Sequence, residues 1–150
     1  MKNIFLCILT LSLLACGEKS TENNTSNQEP TPVKPADNGK GVGEIKEVTL
    51  NDPLNEEMIA GGQAIYDLKC SACHKLTNQR VVGPGFAGVT KRRKPEWIMN
   101  MITNTDAMLE KDPQAQALLE ECLTRMPNQN VALNDARNIL EFFLNNDKSQ

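Results

Sequence analysis

The spacing of apolar positions divides the chain into three stretches. Residues 4–14 (Ile-Phe-Leu-Cys-Ile-Leu-Thr-Leu-Ser-Leu-Leu) form one short apolar run preceded by Lys2. A positive charge before such a run has the layout of a secretory signal, and the run is too short for a bilayer span, which needs about 20 apolar residues. From Gly17 to about Leu50 the residues are Ser, Thr, Asn, Gln, Glu, Pro and Gly with scattered Lys. Such a segment buries too little apolar surface to offset chain entropy, so residues 16–50 are expected to form a disordered tether. Within it, Gly39-Lys40-Gly41-Val42-Gly43 lacks the preceding strand and the Gly-Lys-Ser/Thr ending of a phosphate loop.

Helical patterning occupies the remainder. Asn55-Glu56-Glu57 reads as a cap followed by acids in a first turn, which predicts a helix to about Lys69. Lys94-Pro95-Glu96 and Asp112-Pro113 each place proline at a first helical position, and the second helix continues through Ala117, Leu118 and Leu119. A last helix starts near Asn134-Asp135 and presents Ile139, Phe142 and Phe143 at helical spacing. No stretch alternates like a strand for long. The expectation is one all-α domain over residues 51–150, with no internal repeat.

Composition sharpens this picture at three points. Apolar residues make up 39% of the chain but Phe, Trp and Tyr only 4%, so little large apolar surface is available for a core and a buried cofactor would supply some. A net charge of -3 argues against wholesale binding to nucleic acid. The five cysteines, Cys7, Cys16, Cys70, Cys73 and Cys122, are odd in number and unevenly spaced, which makes a poor disulfide framework.

Cys70-Ser71-Ala72-Cys73-His74 carries the chemistry. Two thiols three residues apart can each add to one vinyl group of the same haem, and the adjacent histidine then falls beneath the iron as a ligand. His74 is the single histidine in the chain. A dithiol redox pair of the thioredoxin type would sit among alternating strands and helices, which are lacking here. A zinc site needs two more ligands, and Cys122 alone does not complete it. With no other histidine, a second axial ligand falls to methionine. Met58 precedes the haem helix, and Met99 and Met101 lie inside a helix, where they fit core packing. Met126 lies in Thr124-Arg125-Met126-Pro127-Asn128, where proline stiffens the loop and lowers the entropy lost on ligation. Met108 and an open position remain as alternatives.

Two family resemblances extend these readings. Leu13-Leu14-Ala15-Cys16 resembles the lipobox of bacterial lipoproteins. It implies that residues 1–15 are a signal peptide and that Cys16 is acylated, anchoring the protein to a membrane of the bacterial cell envelope, facing the periplasm. Gly62-Gln63-Ala64-Ile65-Tyr66, leading into Cys70-Ser71-Ala72-Cys73-His74, resembles the opening helix of class I cytochromes c. The resemblance covers residues 51–150 and implies the cytochrome c-like fold, with about four to five helices around one covalent haem c. It further implies that Gly62 lets this helix cross tightly against Phe142 or Phe143, and that the Pro84 carbonyl in Gly83-Pro84-Gly85-Phe86 accepts the His74 ring N–H. By the same resemblance Met126 is the distal ligand, and Arg92, Arg93 and Trp97 are candidates for the haem propionates. The run Lys91-Arg92-Arg93-Lys94 reads equally as a solvated basic patch or a docking surface. Cys122 reads as a free buried cysteine.

The function so implied is a membrane-anchored monohaem carrier that passes single electrons between respiratory proteins, and not an enzyme. A haem sensor or small-ligand enzyme with a labile Met126 is the alternative class, and a module docked permanently on an oxidase or reductase is a third. Trp97-Ile98, Asn104-Thr105-Asp106-Ala107-Met108-Leu109, Asp112-Pro113 and Met126-Pro127-Asn128-Gln129 resemble cytochromes of respiratory clusters that include nitrous oxide reductase. A terminal reductase or oxidase is therefore among the expected partners.

Overall fold

The structure, a computed structural model, describes residues 38–149. The expected signal peptide, Cys16 and most of the tether lie outside these residues. Six helices follow in order: α1 (Glu56–Lys69), α2 (Val89–Arg92), α3 (Pro95–Thr103), α4 (Thr105–Lys111), α5 (Pro113–Cys122) and α6 (Leu133–Lys148). Among the described residues the single β feature is an isolated bridge between His74 and Arg80.

The local signals in the sequence act as read for three helices. Asn55 Oδ1 accepts the Met58 N–H at 2.9 Å, which starts α1. Pro95 and Pro113 occupy the first turns of α3 and α5, and Asp112 caps α5 by accepting from the Ala115 N–H at 2.8 Å. The two helices that the sequence pattern did not single out, α2 and α4, are too short to display a period. α2 starts at Gly88, whose φ of 67° suits glycine, and draws its capping acceptor from 59 residues away. There the buried Asp147 of α6 accepts from the N–H groups of Gly88 and Thr90, each at 2.8 Å.

α1 and α6 cross at the centre of the core. Gly62 permits the approach: a Cβ there would stand 2.1 Å from the Asn138 backbone oxygen. The close partner of Gly62 is thus the α6 backbone, not the side chain of Phe142 or Phe143. One turn on, Tyr66 takes the aromatic contacts, with ring centroids 5.5 Å from Phe142 and 6.3 Å from Phe143. These rings are all buried, and each contributes roughly 1.5–3 kcal/mol by leaving water.

Residues 38–50, expected as the end of the tether, pack along the domain. Val42, Ile45 and Val48 rest against the core. The buried Asn100 of α3 donates to the carbonyls of Lys40 and Ile45, both at 2.9 Å, and accepts from the Ile45 N–H at 3.2 Å. Lys40 pairs with Glu96 at 3.1 Å. The polar composition of this strap hid its role, because its backbone bonds to side chains of distant residues, Asn100, Asn104 and Arg137, and not to a ladder of its own.

Candidate functional site

The site is assembled around the end of α1. Cys70 terminates the helix, and the backbone turns back on itself: the N–H groups of Cys73 and His74 both donate to the Cys70 carbonyl, at 3.1 and 2.9 Å. This turn presents two half-buried free thiols and then the imidazole. Burial pushes the Cys70 thiol above its ordinary value and Cys73 adds to the rise, against the lowering effect of Lys69. The Tyr66 hydroxyl donates to the His74 carbonyl at 2.7 Å, tying the turn to the core. Burial also raises the Tyr66 phenol, so this donor keeps its proton.

His74 is fixed on several sides. Its Nδ1 lies 2.9 Å from the Pro84 carbonyl oxygen, which can only accept, so Nδ1 carries the proton and the Nε2 lone pair is free. The Gly83 N–H donates to the Cys73 carbonyl at 3.0 Å, bringing this loop onto the turn. A Cβ at Gly83 would stand 2.2 Å from His74 Cε1. The Phe86 ring stacks on the imidazole with centroids 4.4 Å apart. Burial pushes the imidazole below its ordinary value and outweighs the opposing Pro84 bond, so the neutral ring that a metal requires is favoured.

His74 and Cys73 open into a cavity of about 620 Å³, whose lining also includes Phe86, Trp97, Ile98, Met101, Leu118 and Met126. Size and apolar lining suit a flat organic cofactor. Arg92, Arg93 and Arg125 bring positive charge to the same lining. The donor set (two thiols, a neutral imidazole and a thioether) fits a covalently attached haem. Among the described residues no cluster of three or more His, Cys, Asp or Glu could hold a metal ion by itself.

The methionines separate clearly. Met126 lines the cavity on the loop after α5. That loop is held by Arg125 to Asp106 at 2.9 Å, and by Lys69 of α1, which donates to the Gln129 carbonyl at 3.0 Å. Met108 is fully buried elsewhere, and its sulfur accepts the Val42 N–H at 3.0 Å. Met99 is core, as expected, whereas Met101 reaches the cavity.

The three candidates for propionate contacts do not share one situation. The Trp97 indole N–H donates to the buried Asp112 at 2.9 Å, so its single donor is spent and it offers a ring wall instead of a hydrogen bond. Arg93 lies over that ring, 4.9 Å from its centroid, and donates to Gln114. Arg92 donates to the carbonyls of Ala87 and Gly85. Nothing in the sequence pattern signalled the Phe86 stack or the Asp112 partner to Trp97, and Cys122, expected as a free buried cysteine, is free but half-buried and lines the cavity.

Residues 59–146 match the family model for cytochrome c. The chain belongs to the cytochrome c family. Membership brings one covalently bound c-type haem and the transfer of electrons. This cytochrome c is similar to the cytochrome c of Rhodothermus marinus, at 31% identity and a TM-score of 0.71, over 75% of this chain and 96% of that one. It is similar to an engineered cytochrome c from the same organism, at 30% identity and a TM-score of 0.69, over 73% and 95% of the two chains. A further match is that engineered cytochrome bound to a carbene intermediate, at 29% identity and a TM-score of 0.66, over 73% and 95% of the two chains. No curated protein sequence matches the chain.

Proposed function

We propose that this cytochrome c is a one-electron carrier of the bacterial cell envelope, with Cys70 and Cys73 as the attachment thiols and His74 and Met126 as the axial ligands. The His74 Nδ1 to Pro84 carbonyl bond carries the reading, because it aims a neutral imidazole and raises its strength as a ligand. The haem, when bound, supplies the Fe(II)/Fe(III) couple. The remaining work belongs to the protein. His74 enters pre-oriented, Met126 sits on a braced loop, and the apolar walls keep water away, while Arg92 and Arg93 favour anionic substituents. None of these groups needs to move a proton.

Lipid on Cys16 would hold the domain at a membrane surface facing the periplasm, and residues between Cys16 and the strap would let it reach redox proteins such as a terminal reductase or oxidase. No helix of the described residues is long and apolar enough to cross a membrane. Nitrous oxide reductase is the specific acceptor we would try first, on the resemblance of the middle stretch.

The absorption spectrum of the oxidised holoprotein and of Met126→Ala tests the assignment. A low-spin ferric spectrum with the weak sulfur-to-iron charge-transfer band, lost in M126A, is the expected result. A high-spin spectrum in the unaltered protein, or a band that survives in M126A, would remove Met126 from the iron and favour a sensor or small-ligand enzyme.

A further inference from the structure

The Phe86 ring lies flat on the imidazole of His74, with centroids 4.4 Å apart and planes within 9° of parallel. A hydrogen bond at Nδ1 restrains one atom of the ring. The torsion that swings an imidazole about its Cβ–Cγ bond is broad, so one bond leaves the plane poorly defined. A flat neighbour across the ring face opposes that swing, because turning either plane breaks the parallel contact. Bulk alone would be served by an aliphatic side chain. Parallel contact is what the aromatic ring adds.

Phe86 is itself held in place. Its backbone N–H donates to the Lys75 carbonyl at 2.7 Å. Its ring contacts Phe143 of α6 at 4.7 Å and Tyr66 of α1 at 6.4 Å. The column His74, Phe86, Phe143 thus runs from the proposed ligand into the α1–α6 crossing. We propose that Phe86 is a positioning residue that sets the plane of the His74 ring, and through it the orientation of the ligand field at the iron. The proposal rests on the reading of His74 as an axial ligand.

Two measurements on the holoprotein test it. In the reduced protein, proton NMR should give cross-relaxation between the Phe86 and His74 rings. In the oxidised protein, low-temperature EPR of Phe86→Leu should show a shifted largest g value and a broadened low-spin signal, whereas Phe86→Tyr should superimpose on the unaltered protein. If F86L superimposes as well and only melts at a lower temperature, Phe86 is a core residue and the proposal fails. It fails equally if the rings of the unaltered protein show no cross-relaxation, a result that stands even where F86L does not take up haem. A lack of any low-spin signal in the unaltered protein would instead count against His74 and Met126 as the ligand pair.

Discussion

Gly83 leaves no room for a methyl group, since a Cβ there would overlap His74 Cε1 at 2.2 Å. Backbone or imidazole must then move, and the Nδ1 bond to Pro84 is the first geometry to suffer. Gly83→Ala is expected to lower stability by about 1–3 kcal/mol, the usual range for overpacking. It should also weaken the low-spin spectrum, while a control change at the exposed Gln79 leaves both intact. Equilibrium denaturation and the ferric absorption spectrum check the two effects. At this scale the sequence was informative where chemistry is local. Cys70, Cys73 and His74 are recognisable because the thiol spacing and the adjacent imidazole act within a few residues, whereas the Pro84 carbonyl, ten residues from His74, was implied by the family resemblance and not by local spacing. The role of Trp97 was not recognisable, because its one N–H could serve a propionate or Asp112, and only the fold brings Asp112 to it.

Helices here are finished by residues that other elements supply. The fully buried Glu141 of α6 accepts from the Asn55 N–H at 2.8 Å and the Asn51 amide at 3.0 Å, and pairs with Arg137 at 2.5 Å. Burial by itself would push this carboxyl up. The Asn55 and Asn51 bonds and Arg137 outweigh it and hold the group below the usual carboxylate range. A carboxyl depressed in the folded state stabilises the protein above its unfolded pKa, and that contribution is lost as pH falls through the folded value. Glu141→Gln should therefore cost about 1.5–3 kcal/mol near neutral pH, the range for hydrogen bonds to a charged group. The gap to the unaltered protein should narrow as the pH is lowered through the carboxylate range. Urea denaturation across that range checks it, and a gap independent of pH would mean the charge contributes nothing. α2 is finished in the same way by Asp147, which explains why four residues with no period of their own are helical.

At the scale of the molecule, the strap of residues 38–50 closes one side of the core that α3, α4 and α6 leave open. Val42, Ile45 and Val48 cover apolar surface there, Val42 reaches the Met108 sulfur, and Arg137 donates to the Thr49 carbonyl at 3.2 Å. Three half-buried aliphatic side chains contribute on the order of 3 kcal/mol before chain entropy is subtracted. A chain starting at Asn51 is expected to bind haem and to melt roughly 5–10 °C below one starting at Asn38, taking a net loss of about 1–2 kcal/mol. Thermal unfolding followed at the haem absorption checks this. Equal melting temperatures would show that the strap adds nothing net.

The sequence by itself determined the elements whose cause is near neighbours: the Asn55 cap, the prolines opening α3 and α5, the apolar face of α6 and the attachment motif with its histidine. It also pointed to Met126 among the methionines, because loop and proline are adjacent to it. Only the tertiary structure decided which distant groups meet. Asn55 finds Glu141 from 86 residues away, Gly88 finds Asp147 from 59, and Phe86 reaches both His74 and α6. It also turned a stretch too polar for a core of its own into a strap, since Asn100 satisfies the backbone that sequence composition left without partners. Covalent spacing fixes what lies within a turn of helix, whereas contacts across many residues exist only once burial of the whole core has brought the segments together.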